Sequence, residues 1–529
     1  FIFAPMQTSA TFSVTVNNDL LDEGIESFFV EISNSLNANI LDGLGVGTII
    51  DNGIVVTTFA DVVNPGDGVT SLREAIDLAN TNPGVDNIIL LPGTYDMDIA
   101  GVNENNNASG DFDILEDLNI YGQGSGTTII DGDQVDRIFH TGAGVTLNLS
   151  NMQLINGDAD DGGAIYAEGD TSLNQVIFQD NHADFLGGAI VSIGQLDITD
   201  AQFLDNHAGF QGGAIYQYTD TATVSRTTFS ENSSDGRAGA VYVASGASFD
   251  VSQSLFYANN AGSRGGAIFN EGIVTSTNAT FSGNHAGSRG GAIFNTGTLS
   301  LLNNTLTLNT ADQTGGGISN DSAVNSSATV TMTNTIVAGN IGFLGNPDLG
   351  GDYVTLTSFN NLIGDIGAAT GLDVAKANIL GTLAAPIDAK LGILLDNGGP
   401  TKTHSLLFGS QAIDAGLNGS APPVDQRGDV RPVDGDLSGT ATVDIGAVEL
   451  DGPPPAPLFG TGGDSSVADE NTNIQISVVK QKTVVSSNGH TAALPGNEDW
   501  IQEWDSFWVE VWVDTASGFG ISDVLTDIA

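Results

Sequence analysis

Gly187-Gly188-Ala189-Ile190, Gly212-Gly213-Ala214-Ile215, Gly265-Gly266-Ala267-Ile268 and Gly290-Gly291-Ala292-Ile293 are one returning phrase, and its spacing decides the fold. The series opens at Gly162-Gly163-Ala164-Ile165, is varied as Ala238-Gly239-Ala240-Val241 and closes as Gly315-Gly316-Gly317-Ile318, in steps of 25, 25, 26, 27, 25 and 25 residues. An Asn stands six residues before each later phrase, and an aromatic or Leu three before the Asn: Phe178/Asn181, Phe203/Asn206, Phe229/Asn232, Phe256/Asn259, Phe281/Asn284 and Leu306/Asn309. Those distances never vary. The extra residues of the longer units therefore fall between the Ile and the Phe, in a tolerant loop.

A period in the twenties fits several solenoids, so the interior of the unit must decide. Thr298–Leu302 and Ala328–Met332 are short, alternating and rich in Thr, Val and Leu, with no helical spacing. Strand, turn, strand, turn, strand in about 25 residues is one coil of a parallel β-helix, in which like residues stack at about 4.8 Å. The expected fold class is all-β, a right-handed parallel β-helix. Asn181, Asn206, Asn232, Asn259, Asn284 and Asn309 would then form a structural ladder of side-chain amides. A second polar column reads Gln175, Asp200, Arg226, Gln253, Asn278, Asn303 and Asn334, with Asp200 and Arg226 as an inter-rung pair. The glycines supply corners and positive φ.

The chain carries 64 acidic against 13 basic residues, a formal charge of −51. Such a field repels a phosphate backbone or an anionic membrane, which argues against a nucleic-acid partner. Cysteine is absent, so neither disulfides nor thiolate metal sites are available. No apolar run reaches the ~20 residues of a bilayer span, so no membrane insertion is expected of this segment. The chain opens on Phe1 without a visible leader and reads as a segment of a longer protein.

Outward from the repeats, Thr70-Ser71-Leu72-Arg73-Glu74-Ala75-Ile76-Asp77-Leu78-Ala79-Asn80 is the one convincing helix, at 71–80. Ser71 and Glu74 form a capping box, and Leu72, Ala75, Ile76 and Ala79 make an apolar face suited to closing the open end of the coil. The segment resembles the CSLREA motif of bacterial surface β-helix proteins, with Thr70 where that motif has Cys. Asp396-Asn397-Gly398-Gly399-Pro400-Thr401, Ala412-Ile413-Asp414-Ala415-Gly416, Asp425-Gln426-Arg427-Gly428, Arg431-Pro432 and Asp444-Ile445-Gly446-Ala447-Val448-Glu449 resemble the closing part of choice-of-anchor Q proteins, secreted or surface-attached bacterial β-helix proteins.

Before the helix, Leu21–Ile32 and Gly47–Gly53 resemble the end of a Calx-β module, an extracellular β-sandwich. That resemblance implies Glu26 and Asp51 as calcium ligands. The expected organisation is a partial β-sandwich at 1–53, the β-helix at 54–450, a Pro/Gly-rich linker at 451–472 and a partial β module at 473–529, where Trp500, Trp504, Trp508 and Trp512 are read as core.

Several columns could carry chemistry. Asp180, Asp205 and Glu231 precede their Asn in three consecutive units, a stack that Ca²⁺ would neutralise, and Ca²⁺ is the one cofactor considered. Arg237, Arg264 and Arg289 form a basic stripe best explained by pairing with nearby acids, and His182, His207 and His285 are read as turn residues. Tyr166, Tyr216, Tyr242, Phe269 and Phe294 follow the repeat Ile as an apolar stripe, a binding surface for neutral or cationic sugars if it faces outward. Pectate lyases and polygalacturonases are β-helices whose clefts need clustered carboxylates and a base. Among the candidate columns, Asp200 with Arg226 is the one mid-body pair of that kind. The sequence thus reads as a noncatalytic extracellular structural or adhesion protein of a bacterial cell surface or matrix. Its partners would be other copies, neighbouring surface proteins and glycans, and the alternative is a polysaccharide lyase or glycoside hydrolase.

Overall fold

The computed structural model describes residues 25–31, 44–50 and 53–450 apart from 102–103, 322–327, 346, 352–357, 368 and 371, and beyond these 452, 474–479, 490–491, 508–515 and 518–525. The chain divides into two compact units, Phe1–Pro454 and Pro455–Ala529. The second contains a four-stranded antiparallel sheet that includes Ile474–Val479, Trp508–Thr515 and Gly518–Leu525. In the first, Ile25–Glu31 and Leu44–Ile50 form an antiparallel pair. No helix among the described residues is long and apolar enough to cross a membrane.

One rung of the first unit runs through strands Ile190–Ser192, Leu196–Thr199, Gln202–Leu204 and His207–Ala208. Each strand pairs in parallel with its counterpart one rung on, as in Ile190↔Ile215, Leu196↔Ala222, Phe203↔Phe229 and His207↔Ser233. Stacking these rungs builds a ten-stranded wall from Phe112–Ile114 to Leu349–Gly351 and an eight-stranded wall from Asp158–Asp161 to Ile341–Gly342. A bent third wall has two strands per rung. This is a parallel β-helix. Alternation sends the repeat Ile and Phe inward: Phe178, Phe203, Phe229, Phe256 and Phe281 are buried and stacked with centroids 4.7, 4.9, 4.6 and 4.7 Å apart.

Each regular rung turns at three left-handed residues. One corner is the first glycine of the phrase, as at Gly187 (φ 61°), with Ala238 adopting φ 62° in its place once. The other two are made mostly by residues with a Cβ: Gln175, Asp200, Arg226, Gln253, Asn278, Asn303 and Asn334 at one, and Asp180, Asp205, Glu231 and Ala258 at the other, all with φ between 48° and 59°, with Gly283 (φ 68°) following Ala258. The second glycine of the phrase answers a different need, since a Cβ on Gly188 would overlap the Gly213 carbonyl of the next rung.

Beside the second corner the Asn side chains form a continuous ladder inside the coil. Nδ2 of Asn181, Asn206, Asn232, Asn259, Asn284 and Asn309 donates to Oδ1 of the next Asn at 2.8–2.9 Å, ending on Asn340. The same oxygen accepts a backbone N–H from the previous rung, and the same Nδ2 reaches a main-chain carbonyl, as from Asn206 to Phe178. Polar groups buried at a corner are thereby satisfied.

The helix spans Leu72–Thr81, with Ser71 and Glu74 forming both bonds of the capping box. Ala75, Ile76 and Ala79 are buried, and Arg73, on the same helix, is fully buried as well. Its guanidinium forks onto Asp61 at 2.8 Å through both contacts and lies 4.7 Å over Phe112.

The expected extent of the coil, to residue 450, needs correction. The last stacked strand is Ile379–Leu380. Beyond it the chain forms an antiparallel pair, Leu391–Leu395 with Thr403–Leu406, and then lies along the outside of the body as a strap that crosses the same rungs in both directions. The first-corner column holds it: Asn360 donates to Ala415 O, Asn334 to Leu417 O, Asn303 to Asp444 O, Asn278 to Val424 O and Gln253 to Asp425 O, at 2.8–3.3 Å. These amides face outward with donors to spare, so a chain with free carbonyls docks there instead of continuing the coil.

Candidate functional site

The residue after each repeat Ile faces outward on the ten-stranded wall, and backbone register extends that column beyond the glycine phrases. It reads Asp113, His140, Tyr166, Val191, Tyr216, Tyr242, Phe269 and Phe294. Tyr216, Tyr242, Phe269 and Phe294 stack at 4.8, 5.1 and 5.0 Å. The expectation of an open sugar-binding stripe is corrected here. These four rings are buried, only Tyr166 is half-exposed, and arginine side chains roof the column. Arg237 lies 4.9 Å over Phe269, Arg264 5.0 Å and Arg289 5.3 Å over Phe294, and Arg137 5.3 Å over Tyr166. Burial pushes the Tyr216 hydroxyl up to about 12.

At the N-terminal end of the same column, chemistry-bearing groups converge. Oδ1 of Asp113 lies 3.0 Å from His140 Nδ1, and Oδ2 of Asp113 accepts the Asn107 N–H at 2.8 Å. Asp111, on the neighbouring backbone, meets Arg137 at 2.7 Å. His140 Nε2 is 3.9 Å from Glu168, and the His140 ring meets Tyr166 edge-on at 5.8 Å. Burial raises the Asp111 carboxyl to about 7 despite Arg137, and the hydrogen bond to Asp113 raises His140. With Nδ1 committed to a buried carboxylate, Nε2 is the atom left to give or take a proton. Nothing in the sequence flags this group, because Asp113 and His140 precede the first Gly-Gly phrase and only strand pairing puts them in the column.

Asp180, Asp205 and Glu231 occupy the second corner in three successive rungs and are exposed. Burial, then Glu231 and Asp180, raise the Asp205 carboxyl. They stand in line along the body and do not converge on one point. Among the described residues, acidic groups able to surround a cation are Asp111/Asp113/His140 and Asp414/Asp434/Asp436. The second set is all oxygen, the donor type Ca²⁺ prefers. It lies in the strap around Asp434-Gly435-Asp436-Leu437-Ser438-Gly439, and Asp414 Oδ1 is buried without a hydrogen-bond partner. Of the other calcium candidates, Glu26 lies in strand Ile25–Glu31, and Asp51 lies outside the described residues.

Asp200 and Arg226 form a bidentate pair at 2.7 and 2.8 Å on the outer first corner, both partly exposed. His182 and His207 stack at 5.4 Å, held by Asp158 and Ser233. A cleft of about 490 Å³ opens between the body and the loop of the antiparallel pair, lined by Ser230, Glu231, Tyr257, Asp396, Pro400 and Lys402 among others.

Residues 278–296 match the Chlamydia polymorphic membrane protein repeat family. No curated protein matches. Among solved structures, the chain is similar to the PL6 family alginate lyase AlyGC, at 13% identity and a TM-score of 0.30 over 74% of this chain and 60% of that one. It is also similar to the Azotobacter vinelandii mannuronan C-5 epimerase AlgE6 A-module, at 15% identity and a TM-score of 0.33 over 61% and 97%. The chain thus spans 60% of the length of the lyase.

Proposed function

We propose that this chain is a rigid, noncatalytic β-helical scaffold of an exported bacterial surface or matrix protein, of the CSLREA and choice-of-anchor Q kind, preceded by the end of a Calx-β module. The observation that carries the reading is the closure of the long outer faces by the chain itself. Arginines roof the aromatic column, and the strap lies along the first-corner column, using the very motifs at 396–449 that the resemblance rests on. The charge of −51 suits a solvated extracellular protein that repels nucleic acid. Residues 473–529 are then a further module beyond the linker at 451–472. Its partners are neighbouring surface proteins, other copies and glycans, and Ca²⁺ is a ligand of the strap at Asp414, Asp434 and Asp436 and not of the Asp180 column.

A second reading, a polysaccharide lyase or glycoside hydrolase, is favoured by the Asp113–His140 pair beside Tyr166, which has the makings of an acid/base set. One assay separates the two. The purified chain is incubated with pectate, alginate and neutral glycans in Ca²⁺, and unsaturated products and new reducing ends are followed. The scaffold gives neither. Turnover lost in His140→Ala supports the enzyme, and turnover lost only in Asp200→Asn or Arg226→Ala places it at the mid-body pair.

A further inference from the structure

The chain has eight arginines, and seven of them hold a carboxylate at ion-pair distance. Arg264 holds none among the described residues. In a chain with 64 acidic residues, that vacancy is not a matter of short supply. Arg264 is half-buried, its guanidinium 5.0 Å over Phe294, and parallel bridges place it between Arg237 and Arg289 in adjacent rungs. Those neighbours are neutralised, Arg237 by Glu271 at 3.6 Å and Arg289 by Asp321 at 2.9 Å. Burial lowers the Arg264 pKa, Arg289 and Arg237 lower it further, and Asp321, which is paired with Arg289, only partly offsets them. Residues 261–270 and 286–295 are identical in sequence, yet only Arg289, one rung on at about 4.8 Å, has a carboxylate at ion-pair distance, and both guanidinium groups lie over Phe294.

We propose that Arg264, flanked by Arg237 and Arg289, is an anion-binding position that takes the carboxylate of an acidic sugar. The planar guanidinium fork matches a carboxylate with two parallel N–H bonds, and the Phe294 face beneath holds the fork in place. A densely charged polymer such as duplex nucleic acid, with one charge per ~1.7 Å, meets the repulsion of the whole acidic body. A sugar chain with a single carboxylate per residue carries a lower charge density and meets less of that repulsion, which salt screens beyond about 8 Å. The site adds a ligand to the scaffold and stands apart from the question of turnover.

Affinity electrophoresis in gels containing polygalacturonate, dextran sulfate or neutral dextran tests it. The wild-type chain is retarded by polygalacturonate and not by neutral dextran. Arg264→Gln weakens that retardation about tenfold or more, as loss of a charge-assisted pair should. Arg264→Lys, which keeps the charge and loses the fork, falls between them and serves alone if Arg264→Gln does not fold. Equal retardation of wild type and both variants, or none of the wild type, overturns the site. Retardation by dextran sulfate alone overturns the carboxylate class. Absence of binding leaves the scaffold untouched, whereas cleavage of the sugar would contradict the scaffold and not this site.

Discussion

Asn232 shows how much one residue carries. Its Oδ1 accepts from the Asn206 side chain and backbone, and its Nδ2 donates to Asn259 and to the Phe203 carbonyl. Asn232→Ala strands these buried partners at about 1–3 kcal/mol each, less what relaxation recovers, so a drop of about 3 kcal/mol is expected in denaturant unfolding. Ala238 is the converse case. It holds φ 62° where the other phrases have glycine, and Ala238→Gly should stabilise by up to about 1 kcal/mol in the same measurement. The ladder was legible because its spacing from the glycines never varies. The two polar columns beside it were legible as columns but not as corners, because Gln, Asp, Arg, Asn and Glu share no chemistry there, only a left-handed backbone. Arg73 was equally hidden: a helix pattern cannot reveal that a charged residue on a capping helix is buried on Asp61.

Among the elements, the strap departs most from the sequence reading. Its motifs mark a family resemblance but carry no strand period, so nothing in them told a further rung from a segment returning along the body. Its own interior is charged: Arg427 meets Asp425 at 2.9 Å, Arg431 meets Glu449 at 3.6 Å, and burial raises Asp444 to about 7 from 3.8. Asp444 therefore binds its proton more tightly folded than unfolded. Between those two values the folded state holds more protons, so stability is greatest below pH 4 in this contribution and falls as pH rises toward 7. Melting temperatures taken from pH 5 to pH 8 should decline, and Asp444→Asn should flatten the slope. Chelation should also lower the melting temperature if the strap carboxylates hold Ca²⁺. That effect should vanish in Asp434→Asn and persist in Asp205→Asn.

For the whole molecule, the period identified the β-helix. What escaped was the placement of groups by strand pairing beyond the repeats. Asp113 and His140 extend the aromatic column, and arginines cover it, so a stripe expected to be open is roofed. If the chain closes its own outer faces, hydrogen exchange reads that closure amide by amide. Strap amides that bond the body or one another, those of Gly416, Gln426, Ile445 and Gly446, should exchange as slowly as rung amides such as those of Ile215 and Asn232. Strap amides that exchange rapidly while the rungs stay protected would contradict closure and make the strap a mobile segment over an open first-corner face.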